Sequence, residues 1–287
     1  MTWHDEALYP HIRESLKVEE ELYRGQTEFQ SVRFFRNRSM GVVMTLDGVI
    51  QTTEADEFIY HEMLAHPPIL AHGAARRVLV IGGGDGGCAR EVLRHGVERV
   101  VMVELDAEVV TLSRRFLPDL SHGAFDDPRL ELVIGDGARF AAESPERFDV
   151  IIVDSTDPAG PGLVLFQEPF YRDCRRLLDG RGILITQNGV PFFQRHEYDD
   201  TGATRRRLFR HSGFYFLGVP TYFGGDLALG WASDGLDLAA VDEATIRARY
   251  AAWGQLPRYY NPEIHRAALA TPNYLKAGGP KAGSFGA

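Results

Sequence analysis

"RRVLVIGGGDGGCAREVLRHG", residues 76–96, sets a run of Val, Leu and Ile against a glycine cluster and a stretch with helical spacing. A short apolar run with no polar alternation reads as a strand covered on both faces, the kind found in parallel sheets. Gly82, Gly84 and Gly87 fit G-x-G-x-x-G, and Glu104 closes the following strand-like run 22 residues beyond Gly82. Such a turn brings backbone close to a nucleotide or nucleoside, and an acid at the next strand end can accept both ribose hydroxyls. Gly96 reads as the cap that ends the helix.

The same rhythm continues downstream. "ERVVMVELD" (98–106), "RLELVIGDG" (129–137), "RFDVIIVDS" (147–155) and "GRGILITQNG" (180–189) read as strands. "AEVVTLSRRFLP" (107–118) and "EPFYRDCRRLLD" (168–179) read as helices between them, with later strands at "GFYFLGVPTY" (213–222) and "LALGWASD" (227–234). Strand–helix alternation of this kind predicts an α/β fold, a Rossmann-like parallel sheet that binds a nucleoside. Upstream, "TEFQSVRFF" (27–35) and "MGVVMTLDGVIQTT" (40–53) are β-rich, and Asp47-Gly48 is a hairpin signal. "EADEFIYHEMLAHPPIL" (54–70) predicts a helix ended by Pro67-Pro68. The expected organisation is a small antiparallel β domain over 1–55, the Rossmann-like domain over 56–275, and a disordered tail over 276–287.

Composition narrows the function. Forty Asp and Glu against 31 Lys and Arg give a net charge of −9, which does not suit a surface that grips nucleic-acid phosphates. Two cysteines among 287 residues are too few for a disulfide scaffold and fit a reducing compartment. "MTWHDEALYP" has neither a basic nor an apolar leader segment, and no apolar run approaches the ~18 residues of a membrane span. The expected location is the cytoplasm.

Four acids fall just past strand ends: Asp85, Glu104, Asp136 and Asp154. Open α/β sheets bind their ligands there. Asp85 sits in the middle of the glycine loop, where a pyrophosphate or the carboxylate of an ordinary adenosylmethionine would be repelled. At ~4 Å and an effective dielectric near 20, two like charges cost about 4 kcal/mol. The loop suits a nucleoside with a cationic arm, although Asp is also a favoured helix cap. "VDSTDPAGPG" (153–162) then places Asp154 and Asp157 three apart at the mouth of a Pro/Gly loop. The run 155–168 exceeds usual connections and holds Leu163–Phe166, so a gate over the nucleoside is expected.

Taken together, "LDGVIQTTEADEFIYHEM", "IGGGDGG", "VELD", "GDG", "DSTDPAGP", "PTYFGG" and "RYYNPEIHRAA" resemble the spermidine synthases, the polyamine aminopropyltransferases, over roughly residues 25–275. The resemblance implies transfer of an aminopropyl group from decarboxylated S-adenosylmethionine to putrescine, with that nucleoside as co-substrate and no metal or prosthetic group. It implies that Gln30, Glu104, Asp136, Gly137 and Pro161 hold the methylthioadenosine part and that Asp85 binds the aminopropyl ammonium. Asp154 is the implied proton acceptor. Tyr60, His61, Asp157, Gln187 and Tyr222 are the implied amine channel, with Ser155 and Thr156 between the two acids. His61 is a position where some members carry Gln. A homodimer or homotetramer is expected, with no nucleic-acid or membrane partner. A methyltransferase on the same fold, or a polyamine-binding protein without catalysis, stays open; retention of both Asp154 and Asp157 speaks against the latter.

Asp85→Asn is expected to lose most of the parent's preference for the decarboxylated nucleoside over S-adenosylmethionine. Calorimetric titration of both nucleosides against both proteins measures this, and an unchanged ratio removes Asp85 from that role.

Overall fold

The computed structural model describes residues 2–9, 11–158 and 160–276, the side chains of Ala7 and Pro161 excepted. The chain opens with a two-stranded antiparallel hairpin, β1 (Thr2–Tyr9) and β2 (Ile12–Val18). A four-stranded antiparallel sheet follows, in the order β3 (Glu20–Gln26), β4 (Ser31–Asn37), β5 (Gly41–Leu46), β6 (Val49–Thr53). The turn between β5 and β6 is Asp47-Gly48, with φ of 49° and 81°. Two successive positive φ values define the type I′ turn that Asp-Gly favours.

The main sheet has seven strands. They are β7 (Arg77–Gly82), β8 (Arg99–Glu104), β9 (Leu130–Ile134), β10 (Phe148–Asp154), β11 (Leu178–Gln187), β12 (His211–Gly218) and β13 (Asp226–Ser233), in spatial order β12-β13-β11-β10-β7-β8-β9. The five strands from β11 to β9 are parallel, and β13 and β12 complete the edge antiparallel. The nine helices described are α1 (Glu57–His72), α2 (Gly87–Leu93), α3 (Ala107–Phe116), α4 (Pro118–Ser121), α5 (Gly137–Glu143), α6 (Glu168–Leu177), α7 (Arg195–Leu208), α8 (Glu243–Trp253) and α9 (Pro262–Ala268). Residues 277–287, the expected tail, lie outside the described residues.

The apolar run of β7 explains the layering. Val78 and Val80 enter the core beneath α1 and α2, while Leu79 and Ile81 enter the opposite core against α6. Alternation along the strand thus feeds two apolar layers, each buried aliphatic side chain being worth about 1.5–3 kcal/mol. Cys88 and Cys174 are free, buried thiols in different layers. A third cluster joins Phe34, Met44 and Leu46 of the N-terminal sheet to Val109, Leu112 and Leu120 of α3 and α4. That contact brings the sheet over the C-terminal ends of β7 and β8.

Two expectations fail locally. Helix α1 does not stop at Pro67-Pro68 but runs to His72, and Gly73 caps it at φ 78° with its N–H on the Ile69 carbonyl. Pro67 has no N–H for the Met63 carbonyl four residues back. The Tyr215 hydroxyl of β12 donates to that carbonyl instead, at 2.8 Å in the buried core. Helix α2 ends at Leu93, before Gly96, which does not adopt positive φ. The Arg129 guanidinium takes over the capping role by donating to the carbonyls of Leu93, His95 and Val97. In both places a distant side chain replaces a local signal.

Tyr215→Phe leaves the Met63 carbonyl buried with no donor. The variant is expected to lose about 1–3 kcal/mol of stability in denaturant titration, and a change below a few tenths would show that the proline pair needs no such support.

Candidate active site

Strand order reverses between β10 and β7, so their C-terminal ends open the crevice of the sheet. A cavity of about 460 Å³ occupies it, roofed by residues of the N-terminal sheet and floored by the glycine loop. Asp154 ends β10 directly opposite Gly82 at the end of β7. At Gly82, φ is +84° and a Cβ would lie 2.1 Å from the Asp154 carbonyl oxygen. Only glycine permits that approach, which holds the two loops together.

Asp154 accepts the Tyr60 hydroxyl on Oδ1 at 2.8 Å, and its Oδ2 is buried without a partner. Burial pushes its carboxyl up to about 6; the Asp85 charge adds to this, while the His61 charge and the Tyr60 hydroxyl oppose it. Asp85 accepts the Gly87 N–H on Oδ1 at 2.8 Å and faces His61 Nε2 with Oδ2 at 3.5 Å. It therefore braces the loop from within, the N-cap of α2 being Gly86, and still lines the cavity. Burial alone would raise Asp85, but His61 and the Gly87 N–H outweigh it and hold the carboxyl below the usual range.

The nucleoside side is assembled from β8 and its neighbours. Glu104 is buried, accepts the Asp106 N–H at 2.9 Å, and is raised by burial to about 7. Gln30 donates to Asp106 Oδ2 at 3.2 Å, beside the Thr27 hydroxyl at 2.6 Å. Asp136 caps α5 by accepting the Ala138 and Arg139 N–H groups on Oδ1, with Gly137 beside it at the cavity wall. Pro161 belongs to a 3-10 turn over Gly160–Phe166, and its side chain is outside the described part. That turn gives the expected gate a regular backbone, with Leu163 and Val164 exposed and Leu165 packed against the core.

The amine side gathers Asp157, Gln187, Tyr60, Tyr222, Ser155 and Thr156 around the cavity. Tyr222 stands edge-on to Tyr60, centroids 5.7 Å apart, and donates to the Gln51 carbonyl at 2.7 Å. Burial raises Asp157 above the usual carboxyl range. Gln187 Oε1 and Ser155 Oγ are buried without partners, like Asp154 Oδ2. Buried acceptors of this kind suit a ligand that donates hydrogen bonds.

Among the expected residues whose side chains are described, His61 is the exception. It does not line the cavity but stands behind Asp85. With Asp85 and Asp154 it forms a group whose candidate ligand atoms lie within 4.8 Å of one another. Its Nδ1 meets Glu57 and its Nε2 faces Asp85, so both ring nitrogens look onto carboxylates. Sequence reasoning missed Gln194, which donates to Asp157 Oδ1 at 2.6 Å and accepts the Val190 N–H and the Tyr9 hydroxyl. It also missed Glu6, whose Oε2 accepts the Ile50 N–H. Neither stands in a motif; the β1–β2 hairpin brings Glu6 to the site, and Gln194 arrives at the start of α7.

The chain is similar to known proteins over most of its length. The spermine/spermidine synthase domain matches residues 57–242, and the spermidine synthase tetramerisation domain matches residues 2–54. A polyamine aminopropyltransferase of Ruegeria sp. (strain TM1040) is 56% identical over 275 residues, 96% of this chain and 97% of that protein. Polyamine aminopropyltransferase 1 of Pseudomonas aeruginosa is 55% identical over 276 residues, 96% of each chain. A crystal structure of a spermidine synthase in complex with the transition state analogue AdoDATO superposes with a TM-score of 0.91 at 37% identity, covering 96% of this chain and 93% of that one. The spermidine synthase of Thermotoga maritima gives 0.87 at 35%, covering 96% and 92%. The chain belongs to the spermine/spermidine synthase family. It is a transferase of the spermidine synthase type, and among the described residues no helix is long and apolar enough to cross a membrane.

The buried acids make stability depend on pH. Burial raises Glu6, Glu104 and Glu197 to about 7. A carboxyl raised by folding contributes stability that is present at low pH and lost as pH rises through its folded value. His61, raised well above its ordinary value by Asp85 and Glu57 against the effect of burial, acts in the same direction. The histidines held neutral by burial, His4, His66, His72, His95 and His265, oppose this only below their ordinary 6.5. The ligand-free protein is therefore expected to melt at falling temperature as pH rises through 7. A melting temperature that is flat or rises across that range in calorimetry overturns the assignment of these charges.

Proposed function

We propose that the chain transfers the aminopropyl group of decarboxylated S-adenosylmethionine to putrescine, giving spermidine and 5′-methylthioadenosine. The observation that carries this is the unpartnered Oδ2 of Asp154, held at the cavity that Asp85 and Asp157 also line, with the Tyr60 hydroxyl on its other oxygen. Glu104 receives the ribose hydroxyls, and Gln30, Asp136, Gly137 and Pro161 surround the adenine and thioether part. Asp85 takes the aminopropyl ammonium. Asp157 with Gln187 takes the far ammonium of the diamine, while Tyr60, Tyr222, Ser155 and Thr156 line its path.

A primary amine with a pKa near 10.4 is protonated at neutral pH, so freeing its lone pair costs about 4.6 kcal/mol. Asp154 accepts that proton, directly or through Tyr60. The nitrogen lone pair then forms the new C–N bond as the C–S bond breaks, and its electrons return to sulfur to leave a neutral thioether. Alignment along this line supplies much of the rate. The segment 155–168 closes over the nucleoside and excludes water. Residues 1–55 serve assembly into a homodimer or homotetramer, and 56–275 carry the chemistry. The free buried cysteines fit a cytoplasmic setting.

Asp154→Asn tests the reading. Turnover of the decarboxylated nucleoside with a panel of diamines, products weighed by mass spectrometry, is expected to fall by about 10²–10⁴-fold. Methylthioadenosine binding should stay intact, and raising the pH should restore part of the rate because more amine arrives neutral. A variant within a few-fold of the parent at neutral pH removes Asp154 as the proton acceptor. A parent with no product from any diamine overturns the reaction itself.

A further inference from the structure

Behind the cavity wall runs a buried line of alternating charge. Arg90 of α2 grips Glu57 with both arms, Nη1 to Oε1 at 3.1 Å and Nη2 to Oε2 at 2.9 Å. Glu57 Oε2 meets His61 Nδ1 one turn along α1 at 2.6 Å, and His61 Nε2 faces Asp85 Oδ2 at 3.5 Å. His61 is 2% exposed, and neither it nor Glu57 nor Arg90 lines the cavity. A neutral imidazole has one bare lone pair, and here either tautomer would aim it at a carboxylate oxygen. Only the doubly protonated ring satisfies both sides. Gly87 makes the seat possible: a Cβ there would lie 2.3 Å from the His61 ring.

We propose that Glu57 and Arg90 are positioning residues that hold His61 as a fixed imidazolium behind Asp85, and that this charge keeps Asp154 free of its proton so that it can receive the one from the amine. The inference rests on the assigned aminopropyl transfer for its kinetic half only. The charged groups facing His61 are Glu57 on its own helix, Asp85 from the glycine loop and Asp154 from β10, with Arg90 bearing on Glu57 from α2. The Tyr60 ring packs against the imidazole at 5.3 Å. The Asp85 charge raises the cost of ionising Asp154, and the His61 charge opposes it. Without it the proton acceptor stays occupied to higher pH. The geometry also explains why a residue expected in the amine channel stands outside it: His61 acts on the reaction through Asp85 and Asp154.

The test has two readouts. Nitrogen NMR of histidine-labelled parent, with the His61 signal identified by its loss in His61→Gln, is expected to show both ring nitrogens protonated at about pH 8, well above an ordinary imidazole near 6.5. In Glu57→Gln the ring should titrate close to that ordinary value. In kinetics, His61→Gln keeps an N–H toward Asp85 but carries no charge. Its acid limb of kcat/KM is expected to move up by roughly one pH unit. Glu57→Gln should move the same way, and the double variant no further than His61→Gln alone. A neutral His61 in the parent at that pH, an acid limb in His61→Gln that superposes on the parent, or additive shifts in the double variant would each overturn the proposal. Should Glu57→Gln not fold, parent NMR and His61→Gln kinetics decide it. The NMR needs no turnover, so a parent that transfers nothing counts against the reaction and not against the charge.

Discussion

The Gly83 N–H donates to the Asp154 carbonyl at 2.9 Å, across the point where Gly82 pairs with Asp154. This short stretch of backbone contact joins the glycine loop to the acid loop. Because Gly82 has no side chain, the last residue of β10 can lie against the first turn after β7. Asp85 and Asp154 are thereby held in one cavity wall although 69 residues separate them (154 − 85). A methyl group at position 82 would drive the two loops apart and with them the two carboxylates. Every later feature of the site assumes that closeness.

Closeness has an electrostatic cost, and the surrounding structure is arranged to offset it. Tyr60 donates to Asp154, the Gly87 N–H donates to Asp85, and Gln194 donates to Asp157. These donors orient the carboxylates without neutralising them. What the wall leaves open are acceptors, and a cationic ligand is the natural complement. Deeper in, Glu62 accepts the backbone N–H groups of Arg258, Tyr259 and Tyr260. That contact gives the segment "RYYNPEIHRAA" a physical meaning: it is fastened to α1, the helix that carries Tyr60 and His61.

Much of this was legible in the chain itself. The runs of Val, Leu and Ile specified the parallel strands because two apolar layers need two apolar faces, and Asp47-Gly48 specified its hairpin because both residues take positive φ there. Asp85, Glu104, Asp136 and Asp154 could be placed at strand ends because a carboxylate interrupts an apolar run visibly. Tertiary structure decided what local signals could not. The proline pair sits inside α1 because Tyr215, 148 residues beyond Pro67 (215 − 67), supplies the missing donor, and Arg129 ends α2 where Gly96 was expected to. Gln194 and Glu6 reach the site because hairpin and helix fold over it, and His61 stands behind Asp85 because Glu57 and Arg90 draw it there. Periodicity and turn chemistry act between neighbours and can be read along the chain. Hydrogen bonds and ion pairs between distant residues depend on where the packed layers bring them, and only the folded structure shows that.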